Sequence, residues 1–207
     1  MLRRLAVLSV LAVGSTAIAN AVPITGFLTA AGGTDIFTSS TITFEPTAVV
    51  GGTVGGTFGL YLTDGNPINF IPGTLPYSQG SHVAPPGIPP LFTTSQNGEM
   101  FSFFLTSYNA MYGTSSVPGC VAGDTCLLVT GLGFFTGTGK VTYDNTPATF
   151  QFDTSYVPGQ TVGSTITSFA AQASANGVPA TPEPASLLLL GTGLIGAVGL
   201  ARRKFAV

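Results

Sequence analysis

Hydrophobic and polar residues alternate along several short segments between residues 22 and 175. Ile42 and Phe44 are separated by threonine, and Phe150 and Phe152 flank Gln151. The same period of two recurs at Phe58–Leu62 and at Phe101–Leu105. Alternation of this kind, bounded by Gly, Asp, Asn and Pro, predicts half-buried β-strands. The predicted inward-facing core residues are Ile42, Phe44, Leu60, Phe103 and Phe150.

Other segments extend the same pattern, and no stretch from 22 to 175 keeps a helical period. Further strand candidates are residues 24–29, 126–135, 141–143 and 163–171. Many short strands in one region predict an all-β fold, a single β-sandwich of about eight to ten short strands over residues 22–174.

Prolines crowd the segment from Asn66 to Pro90, which contains seven of them. Because proline cannot donate to a strand ladder, this density excludes a central strand and favours a long, partly extended loop. The segment is expected to cover a sheet edge, with a binding lip as the alternative.

The first 21 residues have the layout of a secretory signal peptide. Arg3 and Arg4 precede an apolar core at residues 5–13, and small residues follow, with Ala19 and Ala21 in an A-x-A cleavage pattern. Cleavage is predicted after Ala21, with the Sec export machinery as partner. A permanent anchor is the alternative, although the apolar core is short for one.

An uncharged apolar segment, residues 185–201, lies just before the last six residues of the sequence. Residues 185–201 would rise about 25 Å as a helix, against roughly 30 Å of bilayer hydrocarbon. Arg202, Arg203 and Lys204 follow in a short tail, 202–207, which the positive-inside rule places in the cytoplasm. Residues 175–184 read as a proline-containing tether. The prediction is a transmembrane helix in the inner membrane, with the β domain outside the cytoplasm.

The tether ends in Pro182-Glu183-Pro184, directly before the apolar segment. This order, followed by an arginine cluster and the chain end, closely resembles the PEP-CTERM sorting signal of Gram-negative bacteria. The resemblance implies processing near residues 181–184 by an exosortase, a membrane-embedded transpeptidase-like enzyme. It also implies a surface or biofilm-matrix destination, because genomes with this signal usually make exopolysaccharide. Extracellular polysaccharide is therefore a candidate partner.

The exported region resembles, more loosely, a group of PEP-CTERM surface proteins with no assigned activity. The shared elements are a strand start at Val22–Gly26, a glycine-containing element at Leu132–Thr138 and a TPxxFxF strand at Thr146–Phe152. The likeness supports a β fold and implies no site.

The exported region is acidic. Between residues 22 and 180 it has seven Asp and Glu residues but a single base, Lys140, for a net charge of about −6. Nucleic acid and anionic membrane surfaces are therefore excluded as expected partners. Its abundant Ser and Thr suit half-buried strands, and they also suit a surface that carries sugars.

Two cysteines, Cys120 and Cys126, lie close together in the exported region. Outside the cytoplasm such a pair is expected to form a disulfide. Five residues separate them, so they do not match the C-x-x-C redox pattern. The prediction is a structural cross-link.

Residues for catalysis or metal binding are scarce. The one histidine, His82, lies in the proline-rich segment, and no G-x-S-x-G elbow accompanies it. A zinc site needs three or four His, Cys or carboxylate ligands, and with the cysteines paired the sequence does not supply them. Asp64-Gly65-Asn66 begins like a calcium-binding loop, but no glutamate completes it. The prediction is a domain that is not an enzyme and has no metal or cofactor.

The leading hypothesis is an exported, exosortase-sorted surface or matrix protein with a structural or adhesive β domain. The alternative is a carbohydrate-binding module that uses exposed tyrosines. A glycoside hydrolase with two facing carboxylates is a third hypothesis. The tyrosines considered are Tyr61, Tyr77, Tyr108, Tyr112 and Tyr156.

Overall fold

A computed structural model describes residues 22–31, 34–44, 48–71, 73–84, 89–163 and 167–176. These residues all lie within one compact unit, Val22–Thr181. The predicted signal peptide, membrane span and basic tail, with Ala19, Ala21 and the Pro-Glu-Pro triplet, lie outside the described residues. Within those residues, no helix is long and apolar enough to cross a membrane.

The described residues form an all-β domain, as predicted, with more strands than expected. A single 3-10 helix, Phe58–Leu60, is its only helical element among these residues. The twelve strands are β1 Thr25–Ala31, β2 Thr34–Phe37, β3 Thr41–Phe44, β4 Val49–Val50, β5 Ile68–Phe70, β6 Thr74–Pro76, β7 Gly80–Val83, β8 Phe92–Gln96, β9 Glu99–Gly113, β10 Thr125–Gly139, β11 Thr146–Tyr156 and β12 Thr167–Asn176. The last of them extends two residues into the segment predicted as a tether.

Four long antiparallel strands, β9 to β12, form the centre of one twelve-stranded sheet. At one end of these strands, β8 pairs with β9 and β1 pairs with β12. At the other end, β7 pairs with β9 and β2 pairs with β12. An isolated antiparallel bridge between Val49 and Pro67 joins β4 to the chain before β5. The path β1-β4-β5-β8-β9-β10-β11-β12 therefore nearly closes on itself.

The alternation predicted from the sequence is clearest in β11. Buried and exposed residues alternate without interruption from Thr146 to Asp153, and Phe150 and Phe152 are among the buried ones. Ile42, Phe44 and Phe103 are also buried, so four of the five predicted core residues are confirmed. The polar residues between them face outward because successive side chains of a strand point to opposite faces.

Phenylalanine dominates the core inside the curled sheet. Phe58 lies with its ring centroid 5.0 Å from Phe101 and 4.8 Å from Phe135. Phe44 on β3 stacks on Phe70 of β5, with ring centroids 4.1 Å apart. These two strands lie at or near opposite ends of the strand order, so the sheet curls enough to bring them into contact. Each buried phenylalanine contributes about 1.5–3 kcal/mol, and this packing stabilises the curled sheet.

The predicted strand at Phe58–Leu62 is wrong. Phe58–Leu60 forms a 3-10 helix, and Leu60, predicted to be in the core, is 73% exposed. Phe58 and Leu62 are both buried. Their spacing of four is the helical spacing, so a single turn brings both into the core while Leu60 points to solvent.

Two other predictions of local structure, one of a strand and one of a loop, need correction. Of residues 141–143, only Tyr143 pairs, in an isolated bridge with Val22. The proline-rich segment was predicted as a loop, yet it contains the short strands β5, β6 and β7. Among the described strands, β6 and β7 each pair with one neighbour, which is consistent with the tolerance of proline at sheet edges.

A β-bulge interrupts the pairing of β9 with β10. Leu132 pairs with Ser107 and Gly133 pairs with Leu105, which leaves Thr106 as the extra residue. The Thr106 hydroxyl donates a hydrogen bond to the Leu132 carbonyl at 3.0 Å. Bulges bend and twist the strand that carries them. This bend lies beside a groove that Ser107 and Leu132 help to line.

Candidate functional site

An open groove crosses the outer face of the sheet over five strands, β7, β9, β10, β11 and β12. Its volume is about 650 Å³, within the usual range for ligand sites. Two parallel rows of side chains, each aligned by backbone pairing across those strands, form its lining. We call them the amide row and the hydroxyl row.

The amide row contains three side-chain amides and two hydroxyls in register. Gln151 pairs with Thr130 on one side and with Gln172 on the other. Asn109 pairs with Thr130 and with Ser81. Because neighbouring strands lie about 4.8 Å apart, the row spans roughly 19 Å across the sheet.

The hydroxyl row runs beside it and mixes small polar with aliphatic residues. Its members in strand order are Val83, Ser107, Leu132, Thr149 and Ser174. Val83 is 82% exposed and Leu132 is 58% exposed. The hydroxyl row therefore offers both hydroxyl groups and apolar surface to a ligand.

Most of these polar groups are not used by the fold. Ser81 donates a hydrogen bond to the Asn109 amide oxygen at 3.4 Å. The side chains of Thr130, Gln151 and Gln172 make no hydrogen bond to another described residue. Solvated amides of this kind keep donors and acceptors available to a ligand.

None of the described residues that line the groove is charged. The nearest acid along β11 is Asp153, which lies two positions beyond Gln151 on the same face. Burial raises the pKa of the Asp153 carboxyl. The groove is therefore a neutral surface on an acidic domain.

His82 does not belong to a catalytic arrangement among the described residues. It lies in β7 rather than in a loop, opposite Tyr108, with the two ring centroids 5.5 Å apart. Its Nε2 atom is 2.9 Å from the Gln79 carbonyl oxygen. No carboxylate lines the groove beside it.

The predicted tyrosine platform is not formed. Tyr77 and Tyr156 are buried, and Tyr61, Tyr108 and Tyr112 are half-buried against the core. Burial is the main cause of the raised pKa of Tyr77. The tyrosines therefore stabilise the fold and do not form an exposed stacking surface.

The acids do not face each other across the groove. Asp35 and Glu99 are buried, while Asp64, Asp144 and Asp153 are exposed. Within the described ranges, no three His, Cys, Asp or Glu side chains come together in a way that could hold a metal ion. The carboxylate pair that a glycoside hydrolase uses is not found in the lining.

The structure contains the disulfide between Cys120 and Cys126. Their Cα atoms are 5.9 Å apart, and Cys126 is the second residue of β10. The bridge closes the loop that leads into this long strand. Neither cysteine is among the described residues that line the groove.

The groove residues could not be selected from the sequence pattern. Thr149, Gln151 and Asp153 are polar positions of an alternating strand, which the sequence does show. Which of them aligns with Thr130 on one side and Gln172 on the other depends on the pairing of β11 with its two neighbours, and alternation alone does not distinguish registers that differ by two residues.

Residues 180–204 match the family described as PEP-CTERM protein-sorting motif. The match includes Pro182, Glu183 and Pro184 and ends at Lys204. No curated protein and no solved structure matches the chain. The match therefore concerns the C-terminal segment and includes none of the groove residues.

Proposed function

We propose that this chain, whose residues 180–204 match the PEP-CTERM protein-sorting motif, is exported and sorted by an exosortase and that its β domain acts at the cell surface or in the extracellular matrix. The motif also implies membrane anchoring before processing. The proposed role of the domain is structural or adhesive, and it is not catalytic.

One observation carries this proposal, namely the position of the motif relative to the folded domain. The last strand ends at Asn176, and the matched segment begins at residue 180. Cleavage near residues 181–184 would leave all twelve strands on the released side. The product would be an intact β domain without its apolar tail.

The surface of the domain supports a non-catalytic role. The groove has no charged lining residue, and the one histidine is placed on an edge strand. General acid–base chemistry needs titratable groups placed beside a substrate, and among the described lining residues only His82 and Tyr108 are titratable, with no carboxylate beside them. The rest of the described lining consists mainly of hydroxyls, amides and apolar side chains. Such groups suit binding rather than bond cleavage.

Processing is tested by replacing Pro182-Glu183-Pro184 with three alanines. We expect the wild-type protein in exosortase-positive cells to lose its tail, with a mass that ends near residues 181–184. The triple variant is expected to be exported yet to stay uncut in the membrane fraction. The Pro179→Ala variant, outside the matched segment, is the control and should be processed normally.

The deciding measurement is the intact mass and the fractionation of both forms, with and without the exosortase. If the wild-type protein keeps its chain through Val207 in cells with an active exosortase, the proposal is wrong. The chain would then be a permanently anchored membrane protein.

A further inference from the structure

We propose that the groove across β7, β9, β10, β11 and β12 is a binding site for a neutral polysaccharide chain. This inference deepens the proposed surface role, because a bound glycan would make the domain adhesive. It concerns residues of the folded domain only, so its test is independent of processing.

The first argument is the supply of hydrogen-bonding groups. Gln151 and Gln172 stand directly opposite each other, each with an amide that donates and accepts. Thr130 and Asn109 continue the row toward β7. A sugar hydroxyl is itself both donor and acceptor, so a row of amides and hydroxyls can satisfy several hydroxyls along a glycan.

The second argument is charge. The lining is uncharged, and the exported region has a net charge of about −6. The single base, Lys140, is not in the lining. The acidic domain would repel an anionic polymer, and no Lys or Arg among the described lining residues would offset that repulsion. A cationic polymer would find no carboxylate among the same residues. The favoured ligand is neutral.

The third argument is shape. The groove is open to solvent, and the amide row spans roughly 19 Å across the strands. An open groove of this length admits an internal segment of a polymer, whereas a closed pocket would select a small molecule. Val83 and Leu132 supply exposed apolar surface that can pack against the C–H groups on the faces of sugar rings.

A second copy of the chain fits this surface less well. The cores of protein interfaces are enriched in aromatic residues and depleted in serine, and they need good packing. The amides of Gln151 and Gln172 would lose water there, and burying an unpaired amide costs free energy. A hydroxyl-rich ligand would pair with those amides instead.

The experiment uses the exported full-length protein, purified in mild detergent from cells without exosortase. Its retardation is measured by affinity electrophoresis in gels that contain dextran, laminarin or hydroxyethyl cellulose, with alginate as the anionic polymer. We expect at least one neutral polymer to retard the protein and alginate to have no effect. The double variant Gln151→Ala/Gln172→Ala should bind about tenfold more weakly or worse.

The matched control is Asn69→Ala, since Asn69 is an exposed amide on β5, a strand that does not line the groove. It should bind like the wild type, and equal denaturation midpoints for all three proteins would show that the fold is intact. Leu132→Ala should weaken binding partially.

Three outcomes would overturn the inference. They are no retardation by any of the three neutral polymers, retardation by alginate at least as strong as by the neutral polymers, and equal binding by the double variant. Sedimentation velocity adds a fourth, because a dimer that the double variant dissociates would make a second copy the occupant.

Discussion

The Tyr156 hydroxyl donates a hydrogen bond to the Phe37 carbonyl at 2.8 Å and accepts one from the Phe37 amide at 3.1 Å. Their rings also stack, with centroids 4.2 Å apart. A third bond comes from the Gly163 amide at 3.0 Å. The buried Tyr156 side chain, at the end of β11, thus supplies the hydrogen bonds that a neighbouring strand would make to Phe37 of β2. The two residues are 119 positions apart in the sequence.

The variant Tyr156→Phe should destabilise the domain by about 1–3 kcal/mol, because it leaves buried backbone groups without their partner. Chemical denaturation followed by circular dichroism measures the change. Tyr112→Phe is the matched control. Tyr112 also packs edge-on against Phe37, at 6.3 Å, yet its hydroxyl makes no hydrogen bond to another described residue. Equal midpoints for the two variants would contradict this account.

Gly133, beside the bulge, should not tolerate a larger residue. A Cβ atom there would lie 2.1 Å from the Phe104 carbonyl oxygen and 2.7 Å from Phe103 Cζ. Gly133→Ala is therefore expected to lower the free energy of unfolding by about 1–3 kcal/mol through overpacking.

The control for that substitution is Gly73→Ala, where nothing lies within 4 Å of the added atom. This change should be close to neutral in the same denaturation experiment. Equal stability of Gly133→Ala and the wild type would mean that β9 and β10 approach less closely than described.

Removal of the Cys120–Cys126 bridge should cost about 2 kcal/mol, because the closed loop is short and the entropic gain grows with loop length. The comparison is the unfolding free energy of Cys120→Ser/Cys126→Ser against the wild type. Intact mass without reductant should show the loss of two hydrogens in exported wild-type protein. Two alkylatable thiols in that protein would refute the bridge.

Asp153→Asn should stabilise the domain at pH 7. The Asp153 side chain is exposed overall, but partial desolvation of its carboxyl raises the folded pKa above the unfolded value of about 3.9, so the folded state favours the neutral form. The charged form therefore costs stability above the folded pKa, and this cost disappears as pH falls through the folded pKa toward the unfolded value.

The measurement is the difference in denaturation midpoint between Asp153→Asn and the wild type at pH 7 and near pH 4. We expect a positive difference that shrinks at the lower pH. Asp144→Asn removes the same charge from an exposed position outside the strands and controls for net charge. A difference that grows on acidification would reverse the sign and reject the argument.

The alternating strands were predictable because their signal is local. Phe150 and Phe152 alternate with polar residues, and β11 buries them as expected. Phe58–Leu62 shows the limit of that signal. Its five residues fit both a period of two and a single helical turn, and the hydrogen bond from the Leu62 amide to the Phe58 carbonyl, at 2.8 Å, belongs to the turn.

The sequence by itself determined the sorting segment at residues 180–204, because that signal is contiguous and depends on residue order alone. It also determined the all-β class and most of the core, since both follow from the local period. Only the tertiary structure decided the groove. Asn109, Gln151 and Gln172 come from three strands, and they form one row because the ladders fix which residues stand opposite each other. The local alternation of each strand excludes a slip of one residue, because such a slip would turn these amides into the core. A slip of two residues would keep them on the outer face but separate them, and only the pairing in the folded sheet decides between these registers.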